Sequence, residues 1–232
     1  MSLLRVEGLT KAFPGVRALD GVDFDLERGE VHALLGENGA GKSTLIKTLG
    51  GSVVPDAGTL RLDGAPLPLG DPLAARRAGV RIVYQELTLV PELSAAENIF
   101  LGRERGRPLL RRAEMRREAQ AVLDGLGARV QAGEPVRGLS VAHQQMVEIA
   151  RALVGESRVL VLDEPSATLS DPEVARLFEV LRGLRARGLG VVYISHRLEE
   201  IFAVADRVTV LRDGKRVASA PVAGLDRAQL IR

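Results

Sequence analysis

Apolar and polar positions along the chain alternate between two rhythms. Short runs of three to five residues rich in apolar side chains recur at 3–6, 22–26, 31–35, 60–62, 80–84, 159–163, 191–195 and 208–211, and they predict strands. Several are continuously apolar, as expected of parallel strands buried on both faces. Between many of them the spacing changes to a helical one. Val174, Leu177, Phe178, Leu181 and Leu184 fall on one helix face, with Asp171 as its cap, Pro172 in its first turn and Gly188 past its end. Met115, Ala119, Val122, Leu123 and Leu126 make a second stripe over 111–126. The early strands are separated by short turn signals at Asp20-Gly21 and Arg28-Gly29, which predict an antiparallel β portion. The stretch 86–155 has helical patterns and no convincing strand, so it is expected to be a helical subdomain set into an α/β chain.

Composition narrows the class. The 232 residues are long enough for a sizeable core, and no apolar run is long enough to cross a membrane. There is no Cys, which excludes disulfides and thiolate metal sites. The 32 basic and 30 acidic residues nearly cancel, which argues against a dedicated nucleic-acid binder. Arg111, Arg112, Arg116 and Arg117 are interleaved with Glu114 and Glu118 and read as a solvated helix face rather than a basic patch. The N-terminus enters a strand pattern directly instead of reading as a signal peptide. The stretch 226–232 starts like a capped helix and breaks off, so the chain is expected to be part of a longer protein.

Two motifs carry chemistry. Gly36, Glu37, Asn38, Gly39, Ala40, Gly41, Lys42 and Ser43 match G-x-x-x-x-G-K-[ST], and Thr44 follows at the start of a helix pattern. The run lies between an apolar strand and that helix, the context in which backbone N–H groups and the helix dipole cradle phosphates. Lys42 is placed for the β- and γ-phosphates and Ser43 for Mg²⁺. The apolar run 159–163 ends in Asp163 and Glu164. Adjacent residues of a strand point to opposite faces, so two acids side by side mark a strand end, where α/β ligand sites lie. Asp163 suits Mg²⁺ and Glu164 a base that polarises attacking water.

These motifs are part of an ordered set: LGENGAGKST, then Val83-Tyr84-Gln85-Glu86, LSVAHQQMVEIARAL, VLVLDEPSATLS and Tyr193-Ile194-Ser195-His196. In order and spacing the set resembles the ATP-binding-cassette (ABC) ATPases over nearly the whole chain. LTKAFPGVRAL, YQELTLVPELSAAENIFLGRE and VVYISHRLEEIF look like the first cassette of bacterial sugar importers of the ribose, galactose, arabinose and xylose type. The resemblance implies a nucleotide-binding domain over 1–232, with a P-loop NTPase (RecA-like) core, an antiparallel β subdomain and a helical subdomain. It implies ATP and Mg²⁺ as ligands. It also implies an ATPase that powers sugar import, seated peripherally on the cytoplasmic face of the cell membrane. The implied partners are a second cassette, fused or separate, membrane permease subunits and, indirectly, an external sugar-binding protein. A non-transport ABC ATPase and a catalytically weak nucleotide switch are the rival readings.

Residue by residue, the resemblance implies that Phe13 stacks on adenine, against the plainer reading of a buried core Phe. Gln85 touches Mg²⁺ or the water and relays motion to the membrane partner, against a solvated loop amide. His196 bonds the γ-phosphate. Ser140, Val141, Ala142 and His143 stand where the family has Ser-Gly-Gly-Gln, the signature loop that meets the ATP of the opposite cassette. Ser140 equally explains itself as the cap of a helix over 141–153. Val141 restricts the backbone where glycine gives clearance, so this half-site is expected to be weak. After Glu164, Ala167 and Ser170 replace the family's usual Ser and Asp, which is expected to alter communication between paired sites.

Overall fold

The strand Val159–Asp163 sits inside the molecule with both faces covered. In the computed structural model, which describes residues 2–106 and 108–225, Val159 and Val161 enter one hydrophobic cluster and Leu160 and Leu162 another. Its neighbour Gly190–Ile194 divides likewise, with Val192 and Ile194 on one side and Val191 and Tyr193 on the other. Alternation is present, but both faces are apolar, which is why the sequence shows an unbroken run.

In chain order the strands are β1 (Leu4–Phe13), β2 (Val16–Leu26), β3 (Val31–Leu35), β4 (Ala57–Leu62), β5 (Ala65–Pro66), β6 (Val80–Val83), β7 (Val159–Asp163), β8 (Gly190–Ile194), β9 (Arg207–Arg212) and β10 (Lys215–Pro221). The helices are α1 (Lys42–Leu49), α2 (Pro72–Ala78), α3 (Ala95–Phe100), α4 (Arg112–Gly125), α5 (Val141–Leu153), α6 (Asp171–Ala186) and α7 (Leu198–Val204). A six-stranded sheet has the order β10-β9-β3-β8-β7-β6 and is parallel except for the β9–β10 hairpin. A second sheet, β2-β1-β4-β5, is antiparallel. The P-loop α/β core with an antiparallel β portion is therefore present as expected.

The antiparallel sheet packs Leu4, Val6, Leu9 and Phe24 with Leu45 and Leu49 of α1 against one face of the core sheet. On the other face lie α3, α4, α5 and α6, with Ile99, Phe100, Leu123, Ile149 and Leu177 fully buried. Between β6 and β7 the described residues form helices, one 3-10 turn (Val136–Gly138) and a single isolated bridge, Ser94 to Pro135.

Three local readings are corrected. The turn of the first hairpin is at Pro14-Gly15, not Asp20-Gly21. The latter lies inside β2, where Gly21 donates its N–H to Thr10 Oγ1 beside a break in the β1–β2 register. The first strand continues from its apolar start to Phe13, because pairing with β2 carries it past the polar residues that end the sequence signal. The cap of α6 is Ser170, not Asp171. Ser170 forms a capping box with Glu173, whose Oε2 accepts from Ser170 N at 2.8 Å and Oγ at 2.7 Å. Pro172 sits in the first turn as predicted. The four arginines of α4 and its N-cap are exposed, as a solvated face requires. The capped-helix pattern at 226–232 lies outside the described residues.

Candidate functional site

The loop between β3 and α1 owes its shape to two glycines that no other residue could replace. Gly41, the N-cap of α1, has φ +105°, and a Cβ there would stand 2.5 Å from the Ala18 carbonyl oxygen. A Cβ on Gly36 would stand 2.5 Å from the Leu211 carbonyl oxygen. The loop is thereby pressed between β2 and β9. Lys42 turns back into its curl, its Nζ donating to the carbonyls of Gly36 (2.6 Å) and Glu37 (3.0 Å). Burial pulls the Lys42 ammonium below its ordinary pKa, while the charges of Glu164 and Asp163 oppose that pull.

Those acids stand at the end of β7. The Asp163 carboxyl is pushed above the usual aspartate range, first by burial and then by the neighbouring charge of Glu164. Glu164 leaves the strand with φ +46°, a backbone conformation that a residue with a long side chain adopts only when its surroundings hold it. They do so here: Glu164 donates its N–H to Ile194 O (3.0 Å), and its carbonyl accepts from Ala167 N (3.2 Å). From the end of β8, His196 brings Nδ1 to 3.2 Å from Glu164 Oε1.

A groove of about 300 Å³ collects these groups. It is lined by Asn38, Gly39, Gly41, Lys42, Ser43, Thr44, Gln85, Asp163 and Glu164, together with Val16 and Ala18. Sequence reasoning missed the last two. They come from the second strand of an antiparallel sheet whose packing on the core cannot be read from a local pattern. Gly36 and Glu37 contribute carbonyls that hold Lys42, and Ala40 is buried beneath the loop. Phe13 does not line the groove. It is paired across the hairpin with Val16, which does, and it is 44% exposed, so it is not a core residue. The Lys11 ammonium stands 5.6 Å from its ring centroid. Ser140, Val141, Ala142 and His143 are not part of the groove wall. They open α5, where Ser140 Oγ accepts from His143 N at 3.3 Å and Val141 is 43% exposed.

The donor set suits a hard cation. Ser43 offers a hydroxyl, Asp163 a carboxylate and Gln85 an amide oxygen within one groove. Among the described residues there is no cluster of three or more His, Cys, Asp or Glu able to cage a metal. Mg²⁺, which keeps waters and takes phosphate oxygens beside one carboxylate, fits this sparse set.

Residues 19–167, more than half of the chain and including the loop, both acids and the start of α5, match the family model described as ABC transporter. The chain belongs to the ABC transporter family. Its fold agrees with that of other members. The ADP conformation of MJ1267, an ATP-binding cassette of an ABC transporter, superposes with a TM-score of 0.87 at 25% identity, covering 100% of this chain and 98% of that one. A dimeric post-hydrolysis state of the cassette MJ0796 bound to ADP and Pi superposes with a TM-score of 0.82 at 25% identity, covering 96% and 100%. Among curated relatives, a ribose import ATP-binding protein RbsA 2 of Rubrobacter xylanophilus is 53% identical over 99% of this chain and 45% of its own length. A putative ribose/galactose/methyl galactoside import ATP-binding protein of Burkholderia cenocepacia is 50% identical over 99% of this chain and 45% of its own. This ABC chain thus spans about half the length of the curated relatives it matches.

One consequence is measurable in this cassette. Because Asp163 has a raised pKa, its ionised form costs folding stability. Asp163→Asn is therefore expected to melt at a higher temperature than the parent at neutral pH while losing function. The sign follows from linkage. Above the folded-state pKa the parent carries the buried charge. Below the ordinary aspartate pKa of 3.8 both proteins are neutral there and the difference closes. Thermal melts of the two at neutral and acid pH test this, and an equal or lower melting temperature for the variant at neutral pH contradicts it.

Proposed function

We propose that the chain is the ATP-binding and ATP-hydrolysing cassette of a sugar importer. The observation that carries the reading is the convergence of Lys42, Ser43, Gln85, Asp163 and Glu164 on one groove, with His196 held against Glu164. ATP lies along the Gly36–Thr44 loop, its β- and γ-phosphates on Lys42 and the N–H groups at the start of α1. Phe13, exposed beside Val16, stacks on the adenine. Ser43, Asp163 and Gln85 would hold Mg²⁺, which would offset the charge of the phosphates. Glu164 accepts a proton from the water that attacks the γ-phosphorus, and the bond to ADP breaks as the new P–O bond forms. His196 bonds the γ-phosphate while its other ring nitrogen keeps Glu164 aimed. Such catalysis is positioning and charge stabilisation.

The chain is seated on the cytoplasmic face of the membrane against permease subunits, and an external binding protein delivers the sugar. The similarity to proteins named for ribose and galactoside import supports that class of cargo. Their greater length supports a second cassette in the same polypeptide. Gln85 lies next to Tyr84, which lines a second groove with Ser52, Arg76, Leu101 and Arg151. A partner seated there moves with the Gln85 segment. No described helix is long and apolar enough to cross a membrane.

The test is vesicle reconstitution of the full-length chain with its permease. ATP hydrolysis that rises with the binding protein and its sugar supports the reading. Hydrolysis indifferent to both favours the non-transport alternative.

Val141 and Ala142 take the place of the family's glycines, so the partner's phosphate meets a β-branched side chain at the first turn of α5. Val141→Gly combined with Ala142→Gly in the full-length protein is expected to raise turnover severalfold. The cost is up to about 1 kcal/mol of helix stability per glycine. Steady-state hydrolysis and a thermal melt measure the two effects, and unchanged or lower turnover counts against a phosphate role for this loop.

A further inference from the structure

Glu200, on α7, is a charged residue with only 5% of its surface exposed, and none of the chemistry above uses it. Its Oε2 accepts from Ser166 Oγ (2.7 Å), Ser195 Oγ (2.7 Å) and Tyr193 OH (2.9 Å). Ser195 Oγ in turn accepts from Arg197 N (3.0 Å), and Arg197 Nη1 stands 3.5 Å from Glu200 Oε1. All three hydroxyls lie within donating reach of the same oxygen, so Glu200 is their common acceptor, and Tyr193 OH also stands 3.5 Å from Ser166 Oγ. Ser166, Tyr193 and Ser195 are themselves buried, so none can exchange this acceptor for water.

The donors' positions give the cluster its meaning. Ser166 is two residues beyond Glu164, in the loop that leaves β7. Ser195 directly precedes His196 at the end of β8. One buried carboxylate therefore ties together the two segments that carry the Glu164–His196 pair, and Arg197 adds a third hold just past His196. Glu164 needs such a hold, because its φ of +46° is unfavourable unless the loop after it is fixed. Tyr193, which packs edge-on against Phe178 of α6 with ring centroids 6.0 Å apart, anchors the cluster to the core.

We propose that Glu200 is a positioning residue for hydrolysis. It holds the Ser166 and Ser195 segments at a fixed separation, and so keeps the Glu164 carboxylate and the His196 ring in register with the γ-phosphate. It touches no substrate atom. It acts through the backbone on either side of the pair, so its loss moves turnover far more than nucleotide affinity, which rests on the Gly36–Thr44 loop. The proposal depends on the ATPase reading above, and parent activity is the control that separates the two. If the parent full-length protein with its permease hydrolyses no ATP, the functional reading fails first, before any variant is compared.

The experiment compares parent, Glu200→Ala, Glu200→Gln, Ser166→Ala and Ser195→Ala in that assembly. It measures kcat, the Kd for MgATP and the melting temperature of each. Glu200→Ala is expected to lower kcat roughly ten- to a hundredfold, since small misplacements of reacting groups have effects of that size. Its MgATP Kd is expected to stay within about threefold of the parent. Glu200→Gln, which keeps an acceptor oxygen in place, is expected to recover part of the loss. The two serine variants each release one segment and leave Glu200 its other donors, so they report even where Glu200→Ala does not fold. Each is expected to lower kcat with little change in melting temperature. A His196→Ala background supplies a further readout, because the Glu200→Ala loss should shrink once one member of the aligned pair is gone. Parent-like kcat in both serine variants overturns the proposal. So does a Glu200→Ala loss that falls equally on kcat and affinity, or one that is undiminished in the His196→Ala background. Any of these results leaves Glu200 a purely structural acceptor.

Discussion

Glu164→Gln is expected to lower ATP hydrolysis by the full-length protein about a hundredfold or more, the scale of a lost general base. MgATP binding should change by less than about threefold, because the substitution keeps the side chain's shape and leaves Lys42 untouched. The geometry makes this the most informative single change. Glu164 is held by its own N–H bond to Ile194 O and by His196 Nδ1 at 3.2 Å, so an amide in its place stays where the carboxylate was. It loses the capacity to accept a proton at neutral pH. The measurements are single-turnover hydrolysis and nucleotide binding on the same preparation. If hydrolysis survives, another group accepts the proton, and the roles given to Glu164 and His196 both fall.

The second large effect belongs to Lys42. Lys42→Ala removes the cation that the loop places beside Asp163 and Glu164. A charge-assisted hydrogen bond to phosphate is worth about 1.5–3 kcal/mol, so MgATP affinity is expected to fall roughly ten- to a hundredfold. Folding should not suffer comparably. Burial already works against the charged form of Lys42, and removal of that ammonium relieves a desolvation cost. The expected signature is lost binding with a retained or raised melting temperature, read by titration calorimetry and thermal melts. Affinity equal to the parent would show that the Gly36–Thr44 loop binds phosphate through its backbone alone.

The two variants separate the two steps proposed for this groove. Lys42→Ala acts on the bound state and Glu164→Gln on the chemical step. With Asp163→Asn they ask whether three charged groups are kept together at a cost in stability. The shifts agree with that picture: burial and the Glu164 charge raise Asp163, and burial lowers Lys42. A site arranged for stability alone would not place two adjacent acids at a buried strand end.

Much of this was legible from the chain itself. The loop 36–44, the acid pair at 163–164 and the strands around them are local patterns whose meaning depends on a few consecutive residues. Strict steric and chemical demands act there, and few other residues would serve. Gly41 must accept φ +105° against the Ala18 carbonyl, and two acids in sequence require a strand end. The amphipathic stripes of α4 and α6 were equally plain, because each buries one face. Other features were not legible, because they depend on residues distant in sequence. The length of β1 is set by its pairing with β2 and β4, the cap of α6 by a reciprocal bond between Ser170 and Glu173, and β10 by its pairing with β9. The groove wall at Val16 and Ala18 exists only because the antiparallel sheet packs on the core. Phe13 could be read from sequence as buried or exposed, and that packing leaves it exposed. Sequence by itself determined where the phosphate-loop motif and the acid pair lie, because both are written in contiguous residues. Tertiary structure alone decided how those residues are aimed, because Glu200, Ser166 and Ser195 become one hydrogen-bonded cluster only when β7, β8 and α7 are packed together.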